Sequence, residues 1–273
     1  MRLDKFICKS TRLTKLQALA FIESGDITVN DVVIKKVATQ VHENNTIKFH
    51  GEVLTLRPFR YLLMHKPAKT ICSNVDECYP SALNLLLKNV TDPNNITGFD
   101  NVSGSGIYND AQVEQLSELH IAGRLDADTT GLILITDDGR WTFNITLPNN
   151  GCKKVYRVEL SRPITQQAIV QFEQGIQLQG EKQLTLPASL QIISEREVLL
   201  TLTEGKFHQV KRMFAVIGNR VQSLHREQIG GVTLDVAVGK WRNLTDFEIQ
   251  SFNKSQYYNL KTADVQNNGS LKQ

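Results

Sequence analysis

The segment from His120 to Gly139, HIAGRLDADTTGLILITDDG, decides how the whole chain is read. It sets four aspartates, one arginine and two adjacent threonines around an apolar run, Leu132 to Thr136. That run is short, branched and bounded by turn formers, which predicts a buried strand followed by a turn at TDDG. Asp126 and Asp128 precede the strand, and Asp137 and Asp138 follow it. A charged loop beside a strand is the plain interpretation. The sharper one is a carboxylate held in a cleft for chemistry. Asp126 lies two residues after Arg124, and positions two apart in an extended backbone point the same way. A neighbouring guanidinium keeps a carboxylate ionised, and an ionised carboxylate in a partly desolvated cleft is a nucleophile or general base. Taken alone, an Arg-x-Asp is more often a structural ion pair.

The rest of the chain narrows the choice. With 273 residues, 41% hydrophobic and 22% charged, the composition is that of a globular protein with room for more than one domain. No apolar run has the length of a membrane helix, and the N-terminus lacks a signal-peptide core. Cys8, Cys72, Cys78 and Cys152 form no C-x-x-C pair, so reduced thiols in a cytoplasmic protein without a zinc site are expected. Net charge is +3, yet the first 60 residues carry ten Lys/Arg against six Asp/Glu. A basic module on a near-neutral body points to an anionic partner, most economically a nucleic acid.

Within that module Arg2, Lys5, Lys9 and Arg12 recur at helical spacing and form a basic face opposite Leu3, Phe6 and Ile7. A second helix follows in TKLQALAFIES, with Thr14 as N-cap, Leu16, Leu19, Ala20 and Ile22 facing inward, and Gly25 as the stop. DITVNDVVIKK reads as a hairpin turning at Asn30-Asp31, and NTIKFHGEVL supplies more strand. On composition alone, a solvated helix face accounts for the basic stripe as readily as an RNA contact.

Residues 57 and 58, Arg-Pro, mark the expected boundary between domains 1–58 and 59–252. Residues 89–118, rich in Asn, Asp, Gly and Ser, read as a mobile insertion, and 253–273 as a disordered tail. KKVYRVELS alternates as a strand whose Tyr156 faces the same way as Val158 and Leu160, toward the core or its edge. A tyrosine at a cleft edge also stacks on bases. EVLLTLTEGKFHQVKRMFAVIGN predicts a strand, a turn at Glu204-Gly205, and a helix from about His208 to Gly218-Asn219. Val210, Met213, Phe214 and Ile217 form its buried stripe, with Lys211 flanking it and in reach of a cleft carboxylate. His208 and His225 read as isolated, which argues against metal ligation.

RLDKFI and the helix and turn TRLTKLQALAFIESGDITVN resemble the S4 RNA-binding domain, with Thr14-Lys15 and Asp31 departing from its usual Ser-Arg and turn glycine. AGRLDADTTGLILITDDG, KVYRVEL and EGKFHQVKRMF resemble, in order and spacing, the three core motifs of bacterial pseudouridine synthases of the RsuA type. Together the resemblances cover residues 1 to about 250. They imply an α+β catalytic domain with a mixed, largely antiparallel sheet and a central cleft, behind a small N-terminal S4-like α/β domain.

Carried over by position, the resemblance makes Asp126 the catalytic nucleophile, Tyr156 the tyrosine against the target base, and Lys211 the cation paired with the aspartate. The resemblance likewise implies that Arg124 holds the flipped nucleotide or fills its place in the RNA, and that Asp128, Thr129 and Thr130 support the loop. Arg2, Lys5, Lys9 and Arg12 are the expected RNA contacts. The implied reaction needs no cofactor and no metal, because uridine is isomerised without loss of a group. TDDG, EGKFHQVKRMFAVIGN and LHREQIGGVTLD point within the family to a 16S ribosomal RNA target, uridine-516 by family resemblance, met on naked RNA or a partly assembled small subunit. Large-subunit members tend to have Asn-Arg where this chain has Phe207-His208. A monomer is expected. The alternatives are the same chemistry on 23S rRNA, a non-catalytic S4-type binding or ribosome assembly protein, and a glycoside hydrolase using Asp126 with Asp128.

Overall fold

Capping chemistry and apolar spacing build the N-terminal part first. The computed structural model describes residues 1–11, 13–42, 44–91 and 118–252. The chain divides into two compact units at Phe59/Arg60. In the first, α1 (Leu3–Ser10) buries Leu3 and Ile7. Helix α2 (Lys15–Ser24) opens on a capping box: the Gln17 amide donates to Thr14 Oγ1 at 3.3 Å and the Thr14 amide donates to Gln17 Oε1 at 2.9 Å. It ends at Gly25, whose φ of 94° suits a residue without Cβ. Strands β1 (Ile27–Val29) and β2 (Val32–Val33) join through Asn30 and Asp31, at φ 51° and 66°, the conformation a two-residue hairpin demands. Strands β3 (Ile47–Phe49) and β4 (Glu52–Val53) complete an antiparallel sheet in the order β2-β1-β3-β4.

The inward face of α2 differs from the expectation. Ala18 and Ile22 are buried, Leu19 is half-buried, Ala20 is exposed, and Leu16 is 80% exposed. Ala18 and Ile22 are four residues apart and share one stripe, whereas Leu16 lies two residues from Ala18, roughly 200° around the helix. The basic residues of α1 are also unequal. The Arg2 guanidinium donates to both carboxylate oxygens of the buried Asp4, at 3.0 and 2.8 Å, and Lys9 lies 4.5 Å over the Phe59 ring, leaving Lys5 the more open. Arg12 lies outside the described residues.

Among the described residues, the second unit is built on one nine-stranded sheet. Its strands are β5 (Tyr61–Lys66), β6 (His120–Ala122), β7 (Thr130–Thr136), β8 (Lys154–Leu160), β9 (Ser189–Ser194), β10 (Glu197–Leu202), β11 (Val221–Ile229), β12 (Val232–Thr233) and β13 (Trp241–Asn243). The main path runs β13-β5-β7-β11-β8-β10-β9, with β6 on β7 and β12 on β11. All pairings are antiparallel except β7 with β11. The mixed, largely antiparallel sheet is therefore as expected. Strand β7 lies inside it with Leu132 through Ile135 fully buried, which is why its sequence is continuous rather than alternating.

Helices are α3 (Ala82–Thr91), α4 (Gly139–Thr146), α5 (Gln167–Gln174), α6 (Gln209–Val216) and α7 (Asp246–Gln250). Helix α3 was not foreseen; Ser81 Oγ accepts from the Leu83 amide at 3.1 Å, and the helix runs to Thr91, so residues 89–91 of the expected insertion are helical. Positions 92–117 and the expected tail 253–273 lie outside the described residues. Among the described residues, apolar clusters pack against the sheet. Phe172 of α5 and Phe214 of α6, with ring centroids 5.0 Å apart, pack among Val158, Leu160 and Leu200. Trp141 of α4 packs against Tyr61 and Phe252 and donates its indole N–H to Ile249 O at 3.0 Å. Among the described residues no helix is long and apolar enough to cross a membrane.

Candidate active site

The aspartates of the opening segment separate at the two ends of β7. Asp137, its side chain fully buried, pairs with Arg60 at 2.9 Å. Asp138 accepts from the Arg140 and Trp141 amides at 2.9 and 3.2 Å, so the TDDG turn also caps α4. Asp126 and Asp128 occupy the loop entering β7, and there they meet one cation. Lys211 Nζ of α6 donates to Asp126 Oδ2 at 3.2 Å and to Asp128 Oδ1 at 2.6 Å. Burial opposes a charged Lys211, but the two carboxylates outweigh it and raise its pKa. For Asp128, burial likewise opposes ionisation, and the Lys211 hydrogen bond and charge hold the carboxyl below its ordinary value.

The other oxygen of Asp126 faces His208, with Nε2 3.5 Å from Oδ1. His208 is thus not isolated. It precedes α6 in a left-handed conformation, φ 48°, which turns its ring toward the aspartate's loop. His225 is not isolated either: its Nδ1 lies 2.7 Å from Thr130 Oγ1 and its ring packs on His65 at 5.2 Å. Burial, then His65, lowers the His225 pKa. Arg124 lines the cleft but is exposed and lies outside ion-pair distance of Asp126. The expected Arg-x-Asp pairing fails because residues 123–128 form a bend and turn, not an extended strand.

Asp126 shares a cleft with Thr129, Tyr156, Leu202, Lys211 and Leu224. Tyr156 is 8% exposed and joins the core cluster through Val158 and Leu160, with one side of its surroundings open to the cleft. The buried Thr129 hydroxyl has no partner among the described residues. The cleft combines a carboxylate, an ammonium and an imidazole with an apolar wall, a setting for charge development against a flat ring.

The loop carrying Asp126 is fixed from behind by residues that local sequence patterns did not single out. Arg226 of β11, 2% exposed, donates from Nε to Leu132 O at 2.8 Å and from Nη2 to Gly123 O at 2.7 Å, clamping both ends of the loop. Its Cζ lies 5.9 Å from the Tyr156 ring centroid. Lys66, fully buried, donates to Thr70 O at 2.7 Å, Pro67 O at 2.9 Å and Ala127 O at 3.3 Å; burial lowers its pKa. The Leu125 amide donates to Cys72 Sγ at 3.3 Å, and burial raises that thiol's pKa. Gly131 has φ 110°, and a Cβ there would meet Arg226 O at 2.3 Å, so β7 and β11 approach this closely only at glycine. Among the described residues no group of three or more His, Cys, Asp or Glu is placed to hold a metal ion.

A fold with this sheet, and a loop aspartate ion-paired to a helix lysine beside a cleft tyrosine, defines a class. The family model for RNA pseudouridylate synthase matches residues 60–216, and the S4 domain model matches residues 1–47. The chain belongs to the RNA pseudouridylate synthase family and is an RNA pseudouridine synthase, an isomerase with an N-terminal S4 domain. Among its relatives, the ribosomal small subunit pseudouridine synthase A of Vibrio cholerae serotype O1 is 46% identical over 92% of this chain and 99% of that one. The protein of the same name from Escherichia coli K12 is 39% identical over 92% and 99%. A crystal structure of a pseudouridylate synthase superposes with a TM-score of 0.61 at 38% identity, covering 93% of this chain and 100% of that chain.

Proposed function

We propose that this protein converts one uridine of 16S ribosomal RNA, the uridine-516 site, to pseudouridine, with Asp126 as the catalytic nucleophile. The observation that carries the reading is the Lys211 ammonium 3.2 Å from Asp126 at a cleft walled by Tyr156. Relatives named for small-subunit pseudouridylation, 39 to 46% identical over nine-tenths of the chain, support the target class. The N1–C1′ bond breaks, the base turns, and C5 bonds to C1′. The C5 hydrogen is lost as a proton and N1 gains one, so composition is unchanged and no redox cofactor enters the balance. The stacked nucleotide is extruded first, at a cost of a few kcal/mol.

In this reading Asp126 acts on the flipped nucleotide. Lys211 holds the aspartate by a hydrogen bond from its ammonium, and Tyr156 supports the base in the cleft. Arg124, exposed at the rim, holds the flipped nucleotide or fills its place in the RNA. Residues 1–58 serve as the RNA-binding domain, where Lys5, together with Arg2, Lys9 and Arg12, attracts the phosphate backbone. Residues 59–252 serve as the catalytic domain. The protein acts as a monomer in the cytoplasm.

Carbodiimide-dependent primer extension on unmodified 16S and 23S transcripts tests this. One new stop in 16S RNA with the wild type, absent with Asp126→Asn, is the expected result. A stop in 23S RNA alone overturns the target. No stop in either transcript or in partly assembled particles overturns the reaction.

A further inference from the structure

Between Lys206 and His208, which line the cleft, stands a side chain the reaction does not explain. Phe207 is 75% exposed. A large apolar ring left in water forgoes burial of the order of 1.5–3 kcal/mol. Phe207 is held. Its ring stacks on His208 with centroids 3.8 Å apart and planes at 21°, and the His208 ring in turn faces Asp126. Arg212 Nη1 donates to Phe207 O at 3.0 Å while Nη2 donates to Gln179 O at 2.6 Å, tying the turn to the chain before β9. Glu181 pairs with both Lys206, at 3.1 Å, and Arg212, at 3.3 Å. The Lys206 amide donates to the buried Gln209 side chain at 2.8 Å. The turn that presents Phe207 is thus braced on both sides.

The occupant follows from the surroundings. An aromatic ring stacked on His208, at the edge of a cleft lined by Arg124, Lys206, His208 and Lys211, matches an unstacked nucleobase on an anionic backbone. Flipping a base removes the stacking partner of its neighbour. We infer that the Phe207–His208 stack is a shelf for the base next to the target uridine. It replaces the stacking lost on flipping and helps set the sequence context that the enzyme accepts. This rests on the reading of the cleft as a uridine isomerisation site in RNA.

The test compares the full-length wild type with Phe207→Ala, Phe207→Leu and Phe207→Trp, on an unmodified 16S transcript. Both pseudouridine formation and transcript affinity are measured. Base–aromatic stacking of about 1–3 kcal/mol corresponds to about a 5- to 140-fold change. Phe207→Ala and Phe207→Leu are expected to raise KM and Kd by such a factor, with kcat changing less and Tm unmoved. Phe207→Trp is expected to keep wild-type KM and Kd or improve on them. A wild-type Kd in Phe207→Ala overturns the shelf. So does a wild-type Kd in Phe207→Leu alone, because leucine supplies apolar surface without a ring face. Absence of pseudouridine with the wild type counts against the functional reading, and the Kd comparison still decides the shelf.

Discussion

Replacing Gly131 by alanine tests how tightly the loop of Asp126 is built into the sheet. Gly131 begins the buried part of β7, and Arg226 of β11 lies alongside it. Two costs add. At φ 110° an L-residue sits outside the comfortable regions, a strain of about 1–3 kcal/mol. The added Cβ would also lie 2.3, 2.6 and 2.9 Å from O, N and C of Arg226, all backbone atoms that cannot swing aside. Relief needs β7 and β11 to part by roughly 1 Å, an overpacking cost of about 1–3 kcal/mol. The sum, about 2–6 kcal/mol, is a large share of the 5–15 kcal/mol that typically holds a domain folded. Moving β11 also moves Arg226, whose hydrogen bonds to Gly123 O and Leu132 O hold both ends of the Asp126 loop. Urea unfolding of the wild type and Gly131→Ala, followed by circular dichroism at 25 °C, measures the loss. Pseudouridine formation per folded molecule measures the loosening. A loss under about 1 kcal/mol with an unchanged m value would refute the reasoning.

Other outcomes follow from the same geometry. Lys211→Met removes the ammonium shared by Asp126 and Asp128; a pair at such distance is worth about 1–4 kcal/mol between water-like and surface-like screening, and with 29% of the lysine exposed the lower half applies. We expect kcat to fall by about tenfold or more and Tm to drop by a few degrees, and a wild-type kcat would remove Lys211 from the mechanism. Thr129→Val deletes a buried hydroxyl that has no partner among the described residues, so stability should hold or rise in thermal unfolding; a clear drop in Tm would reveal a structural bond. Glu248, hydrogen-bonded to Arg242 at 2.7 Å, has its carboxyl held down at about 2 by that arginine. A depressed carboxyl pKa stabilises the fold above the ordinary value near 4.5, and the contribution fades as pH falls toward about 2. The Tm gap between wild type and Glu248→Gln should therefore be full at pH 6 and shrink between pH 4.5 and 2; a gap constant across that window would contradict it.

What the sequence disclosed depended on how far apart the interacting groups lie along the chain. Local rules were enough for the Thr14 cap, the Gly25 stop, the Asn30-Asp31 turn and the buried run of β7, since each is decided within a few residues. The same rules would have found α3, because Ser81 before ALNLLL is an ordinary N-cap signal. Leu16 departs from the expectation because angular position on the helix, rather than hydrophobicity, decides which side chain is buried. Arg124 misled because two-residue spacing aligns side chains only where the backbone is extended, and here it turns. The cationic partner of Asp126 comes from 85 residues away, and motif resemblance rather than spacing pointed to Lys211. Arg226 and Lys66 carry no local signal, because an arginine or lysine in an ordinary strand reads as surface. Only the folded sheet shows them buried against carbonyls of the loop. His208 looked isolated because its neighbour in space is an aspartate from another motif.

The central claim is that Asp126 carries the isomerisation, and loss of the C5 hydrogen reports the chemistry directly. Unmodified 16S transcript made with [5-³H]uridine should release tritium from one site per molecule with the wild type, and none with Asp126→Asn bound at saturating enzyme. Release at the wild-type rate by Asp126→Asn would contradict the account.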